Sequence, residues 1–243
     1  MINLLVNLLL ALNKILFGNL GLTIIVIGIV SRVITHPFFK SSLRHAQLMR
    51  DLKPKLDEVK KKHGQDRAKH YEEQSKVYKE AGTNPLAGCL PTLVQIGVLI
   101  LLYQVLLQLL KMEVNTSFFY FDLGKPDNYS LEGIPFKVPG LLVASTAIAV
   151  LVQSKMSLPA SLALHKGEPK KEKEEKADLA EALTASQGQL VFLTPVLFLF
   201  WGGIFPAGLF LYYLSSTVVA ILQQYYLVGW GSLAEWFIWK KKS

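Results

Sequence analysis

Residues 20–39 read LGLTIIVIGIVSRVITHPFF. The run is apolar enough to enter a bilayer as a helix, yet it carries a cation, Arg32, after twelve apolar or small residues. A charge at the centre of a membrane helix costs about 2.5–3.5 kcal/mol on insertion scales, so it marks a functional site by default. The alternative is snorkelling. Arg32 lies five residues before Pro37, about 7–8 Å along a helix, so its side chain has the reach to meet headgroups. The stretch alone leaves both readings open. Pro37 is expected to bend or end this first span, because proline blocks the bonding of the preceding turn.

Half of the 243 residues (51%) are hydrophobic, and the mean hydropathy is +0.33. That balance fits a polytopic membrane protein better than a soluble domain of this length. The formal charge is +8, which fits either nucleic acid or an anionic membrane surface. A single cysteine, Cys89, excludes a disulfide framework and a cysteine metal cluster. The histidines form no HExxH pattern, and neither GxxxxGK[ST] nor GxSxG occurs. The chain is therefore read as a non-enzyme with no cofactor and no metal.

Outward from the first span, residues 1–18 are expected to form an amphipathic helix lying on the membrane, with a cleaved signal peptide as the alternative. Residues 40–83 turn polar, and Leu48, Leu52, Leu56 and Val59 recur at helical spacing. His63-Gly64 reads as a stop and Asp66 as an N-cap, so the spacing predicts an antiparallel helical hairpin. Four further spans are expected near residues 86–110, 138–153, 189–205 and 209–228. Residues 111–137 read as a loop with interfacial aromatics at 118–121. Residues 154–188 read as a solvated linker, with five lysines balanced by five acids in KGEPKKEKEEKAD.

Charge orients these spans. Lys and Arg number 12 in residues 40–83, 6 in 154–188 and 3 in the tail, against 4 on the other side. The hairpin, linker and C-terminus are therefore expected in the cytosol and the N-terminus outside. The basic charge is thus topological, and no specific nucleic-acid sequence is implied as a partner.

The spans also carry Gln95, Thr146, Gln153, Ser216 and Gln223, with Tyr212 on the face of Ser216 and Gln223, and Tyr213 on the adjacent stripe. Singly, such groups read as interhelical glue worth about 0.6 kcal/mol each. Taken with Arg32, they read as the lining of one wet cavity, because an unpaired buried polar group costs about 1–3 kcal/mol. The short spans near 138–153 and 189–205 would thin the bilayer beside it.

Five segments carry a family resemblance: GNLGLTIIVIGIVSRVITHPFFKS (18–41), KPKLDEVKKKHG (53–64), NPLAGCLPTLVQIGVLILLY (84–103), VQSKMS (152–157) and FPAGLFLYYLSSTVVAILQQ (205–224). In this order and spacing they resemble the YidC/Oxa-type membrane insertases. The resemblance implies an all-α polytopic core of five transmembrane helices with a cytosolic hairpin after the first. It also implies a groove open to cytosol and lipid and closed to the outside. By resemblance, Arg32 matches the groove arginine, Gln153 a polar groove position, and Tyr212 and Tyr213 the client-contacting last span. The sequence departs from the family pattern in lacking a large extracytoplasmic domain, an extra leading span and a lipoprotein cysteine, and in its long 154–188 linker.

The function expected is insertion of nascent membrane proteins into the lipid bilayer of a bacterial inner membrane. The ribosome and the Sec translocon are possible partners. The competing readings are a small anion channel or transporter with Arg32 as its selectivity charge, and a purely structural assembly factor.

Overall fold

The computed structural model describes residues 2–63, 66–83, 90–112, 114–130, 133, 137–157 and 192–234. Its helices are α1 (Ile2–Ile15), α2 (Leu20–Ile34), α3 (His36–His63), α4 (Arg67–Glu80) and α5 (Leu90–Leu109). These are followed by α6 (Leu141–Ser157), α7 (Phe192–Trp201) and α8 (Ala207–Val228), then a 3-10 turn at Gly231–Leu233.

Helix α8 is the hub, packed along α2 on one side and along α6 on the other. The α2–α8 approach depends on Gly28, where a Cβ would collide with the Ser215 hydroxyl and lie 3.1 Å from the Tyr212 carbonyl. Leu20, Ile24, Leu106, Leu109, Val143 and Tyr212 are fully buried between these helices. Among the described residues, α8 alone is by itself long and apolar enough to cross a bilayer. Helices α1 and α2 meet the criterion as a pair, but they are bent by 116°. The 17 residues of α6 span about 25 Å, less than the ~30 Å of a hydrocarbon core.

The break between α1 and α2 uses Phe17 and Gly18, both in the left-handed region, and Asn19, whose side chain caps α2 by accepting from the Leu22 amide at 3.0 Å. Helix α1 then packs against α5 and α2. Val6 and Leu9 are buried, and Asn13 accepts from the Thr23 hydroxyl at 3.1 Å. Leu4, Leu8, Ala11 and Ile15 lie on the opposite side and are exposed. The helix is therefore apolar on two sides, not one.

Proline 37 acts differently from expectation. It does not end a span at Phe39; α2 stops at Ile34, and Pro37 sits in the first turn of α3. Proline is preorganised for a first turn, where its missing N–H costs nothing. The hairpin region thus starts at His36 instead of 40. Its later punctuation agrees with expectation: α3 ends at His63, and Asp66 caps α4 by accepting from the Lys69 amide at 3.2 Å. Helices α3 and α4 pack together, and the Thr83 hydroxyl lies 3.0 Å from His45 Nδ1.

The loop after α5 is not featureless coil, and the all-α expectation is corrected here. Strands β1 (Ser117–Phe118) and β2 (Phe121–Asp122) pair antiparallel, as do β3 (Asn128–Tyr129) and β4 (Val138–Pro139). Phe118 is buried on Gly21 of α2, which has no room for a Cβ. The Lys125 and Leu123 carbonyls accept from the Ala207 and Gly208 amides at 2.8 and 2.9 Å. The buried Asp127 carboxylate accepts from the Leu142 amide at 3.0 Å. One loop therefore satisfies orphan N–H groups at the N-termini of both α6 and α8, and Asp127 also faces the positive end of the α6 dipole. The third expected span, 138–153, is shifted accordingly: α6 begins at Leu141, because Val138–Pro139 belongs to the sheet. Residues 158–191 and 235–243, which hold most of the expected linker and the tail, lie outside the described residues.

Asp127→Ala is expected to lower stability by about 1–2 kcal/mol, while Asp127→Asn keeps most of it, as read by thermal unfolding in detergent. In the same loop, the Thr116 hydroxyl, the Gly124 amide and Lys125 hold the Asp122 carboxyl below its ordinary range. A depressed folded-state value stabilises above the unfolded value and is lost as pH falls through the folded one. The Tm difference between wild type and Asp122→Asn is thus expected at neutral pH and should vanish at low pH.

Candidate functional site

Arg32 lies in the last turn of α2, at the opposite end of that helix from the strand-bearing loop. It is half-buried. Its guanidinium carbon stacks 4.5 Å over the centroid of Phe39, which is buried in the first turns of α3. Such a cation–π contact contributes about 0.5–2 kcal/mol, depending on desolvation. The side chain therefore turns inward onto the α2–α3 junction. Its Nε is buried and has no partner among the described residues.

A cleft of about 20 Å³ opens beside it, lined by Ser31, Arg32, Thr35, Phe38, Phe39, Gln95, Tyr212 and two valines. That is room for roughly one water. The cleft joins α2, α3, α5 and α8. Its hydroxyls are partly engaged: Ser31 Oγ donates to the Gly28 carbonyl at 2.9 Å and stands 3.3 Å from Tyr212 Oη. Thr35 Oγ1 donates to the Ser31 carbonyl at 2.8 Å. Gln223 comes from α8 and donates through Nε2 to the Arg32 carbonyl at 3.5 Å. Its Oε1, like Gln95 Nε2, is buried and unpartnered among the described residues.

The expected groove set is thus divided. Arg32, Gln95 and Tyr212 share the cleft, and Gln223 abuts it. Thr146 is fully buried between α6 and α8, where its hydroxyl bonds the Leu142 carbonyl at 2.8 Å and lies 3.4 Å from that of Phe210. It serves as helix–helix glue. Ser216 is buried and donates to the Tyr213 carbonyl at 3.0 Å, within its own helix. Tyr213 packs on Phe198 of α7, with ring centroids 4.5 Å apart. Gln153 is half-buried on α6, away from the lining of the cleft.

Sequence reasoning passed over Ser31 and Thr35, although Thr35 sits three residues after Arg32 and four after Ser31 and so neighbours both on the helix surface. It also passed over Phe39, seven residues on, whose ring meets Arg32 across the α2–α3 break. The deeply buried Gln224, which accepts from the Ser157 hydroxyl at 3.2 Å, belongs to a separate α6–α8 contact.

The described helices form an apolar bundle that keeps a half-buried arginine and buried, unpartnered amide atoms at one end. The chain matches the family model of the 60Kd inner membrane protein over residues 12–231, and it belongs to that family, the YidC/Oxa-type membrane insertases. It is 31% identical over 221 residues to a Rickettsia massiliae protein named membrane protein insertase YidC, which covers 86% of this chain and 35% of that one. It is 30% identical over 220 residues to the protein of that name from Rickettsia prowazekii, with the same coverage. The chain thus spans about a third of the length of the curated relatives it matches.

With Cys89 replaced by Ser, cysteines at positions 31 and 35 are expected to react with a water-soluble maleimide several-fold faster than a cysteine at position 24. The Ile24 side chain is 1% exposed, so equal rates at all three positions would mean that the cleft is dry.

Proposed function

We propose that this chain is the membrane core of an insertase that moves apolar segments of nascent proteins from the cytosol into the bilayer. In this reading the single unit of residues 1–243 crosses the membrane five times, with the N-terminus outside and the C-terminus in the cytosol. Helices α3 and α4 form the cytosolic hairpin, and α1 lies at the outer interface. The hairpin and tail receive the client, at the ribosome or beside a Sec translocon.

The observation that carries the reading is a charged guanidinium inside an apolar bundle, stacked on Phe39 with a buried Nε left unpaired. A purely structural arginine would have its donors satisfied, since an unpaired buried donor costs about 1–3 kcal/mol. Arg32 would attract acidic or polar parts of the client's leading tail into the cleft. Gln95, Tyr212 and Gln223 would give that tail hydrogen bonds in place of water. The apolar segment would then pass along α5 and α8 into lipid. Thr146, Gln153, Tyr213 and Ser216 would border the route or hold its walls. Short α6 would thin the membrane locally and lower the barrier to the tail. No nucleotide is needed: partition of the client into lipid and a membrane potential of about 2.3 kcal/mol per charge per 100 mV would supply the work.

The test is insertion of a single-span client with an acidic N-tail. Arg32→Glu is expected to lower it about tenfold, the effect of one charge-assisted hydrogen bond, and Arg32→Lys to keep much of it. Undiminished insertion by Arg32→Glu would remove the charge-attraction step.

A further inference from the structure

The cleft beside Arg32 has room for about one water, and a client segment with its polar tail needs far more. One wall of the cleft therefore has to give. The walls differ in how firmly they are held. Helices α2 and α8 are packed tightly at Gly28, where a Cβ would collide with Ser215, and the Ser31 hydroxyl stands 3.3 Å from Tyr212 Oη across the seam. On the α3 side, Phe39 and Leu43 are buried. The α5 wall is held at one end only. Its outer half is fixed in the core by Leu102, Val105, Leu106 and Leu109, all buried. Its inner half, from Leu93 to Leu101, holds no buried residue. Yet Val94, Gln95 and Val98 of that half line the cleft.

Gly97 stands within these loosely held turns. Four glycines lie inside the described helices, and three of them have a packing reason: Gly21 lies against Phe118, Gly28 against Ser215, and Gly208 against Leu106 and the Leu123 carbonyl. Gly97 has none, since a Cβ there would meet nothing within 4 Å. Alanine would fit that position and favours a helix more than glycine does. What glycine supplies at an open position is backbone freedom, and hinges are the few residues that absorb a change in backbone angles.

We infer that Gly97 is a hinge, about which the inner turns of α5 swing away from α2 and α8 and widen the Arg32 cleft, while the outer half of the helix stays in the core. The inference rests on the insertase reading above and supplies the movement that reading requires. The swing gives up little packing, because the moving turns carry no buried side chain from Leu93 onward. The tie to be broken is polar: Gln95, two residues before the hinge, hydrogen-bonds the Tyr212 hydroxyl. A client tail brings its own hydrogen-bonding groups and takes over that bond on entry. The bond re-forms when the tail has left.

The experiment uses the full chain in proteoliposomes, with Cys89 replaced by Ser. Pairs of spin labels at exposed positions report two distances: Leu93 to Val33 at the inner end, and Leu107 to Leu22 at the outer end. With a single-span client arrested in mid-insertion, the inner distance is expected to lengthen by several ångströms and the outer one to stay. Gly97→Ala is expected to melt no lower than wild type. It should cut the share of lengthened inner distances about threefold to fivefold, and slow insertion by a similar factor. Gly97→Ser is bulkier than Gly97→Ala but a weaker helix former, so it is expected to fall between Gly97→Ala and wild type. A site where a client side chain packs on the bare glycine would rank the two by size, serine worse than alanine, and that ranking overturns the inference. So does an outer distance that lengthens together with the inner one, the sign of a helix that moves whole. Insertion that proceeds with the inner distance unchanged removes the hinge and leaves the insertase reading standing. A wild-type chain that inserts no client removes the reading, and the hinge with it.

Discussion

A guanidinium near the end of an apolar helix sets the terms for everything packed around it. Water would solvate Arg32 freely, and lipid would not. The bundle offers an intermediate solution: an aromatic face at 4.5 Å, a glutamine bonded to the arginine's own carbonyl, and a cleft with room for about one water. To bring Phe39 under the side chain, α2 must stop at Ile34 and the chain must restart as α3 within two residues. The break after Ile34 and the restart of the chain at His36 set Phe39 beside that one charge.

The opposite end of the bundle is built on the reverse principle. There the loop between α5 and α6 lays its carbonyls and the Asp127 carboxylate onto the first turns of α6 and α8. Phe118 fills the space left by Gly21. Between the two ends lie Ile24, Leu106 and Tyr212, all but inaccessible. A polar tail entering at the arginine would therefore find no aqueous continuation through the middle of the molecule. The exposed apolar faces of the bundle lie instead on the flanks of α5 and α8.

Much of this was legible in the residues, and the remainder was not for identifiable reasons. The helix stop at His63 and the cap at Asp66 follow from side-chain chemistry local to the turn, and local chemistry reads well. The grouping of polar residues read less well. Periodicity places Tyr212, Ser216 and Gln223 on one side of α8 but does not fix which neighbour that side meets. As a result, Tyr212 and Gln223 reach the arginine, while Ser216 closes on its own helix and Thr146 is spent on the α6–α8 contact. The strands of the loop are two residues long, too short for an alternating pattern to register. The capping of α8 was invisible in principle, because its acceptors are main-chain carbonyls that every residue possesses.

The contrast between the ends bears on what the protein is for. A fold under selection for stability alone would have no reason to satisfy helix termini with a dedicated loop at one end and leave one atom each of Arg32, Gln95 and Gln223 without a partner among the described residues at the other. An apolar substitute of similar shape at Gln95 would remove a buried polar atom whose burial costs free energy. The unpaired atoms also come from three helices, α2, α5 and α8, so they are not the by-product of one misplaced turn.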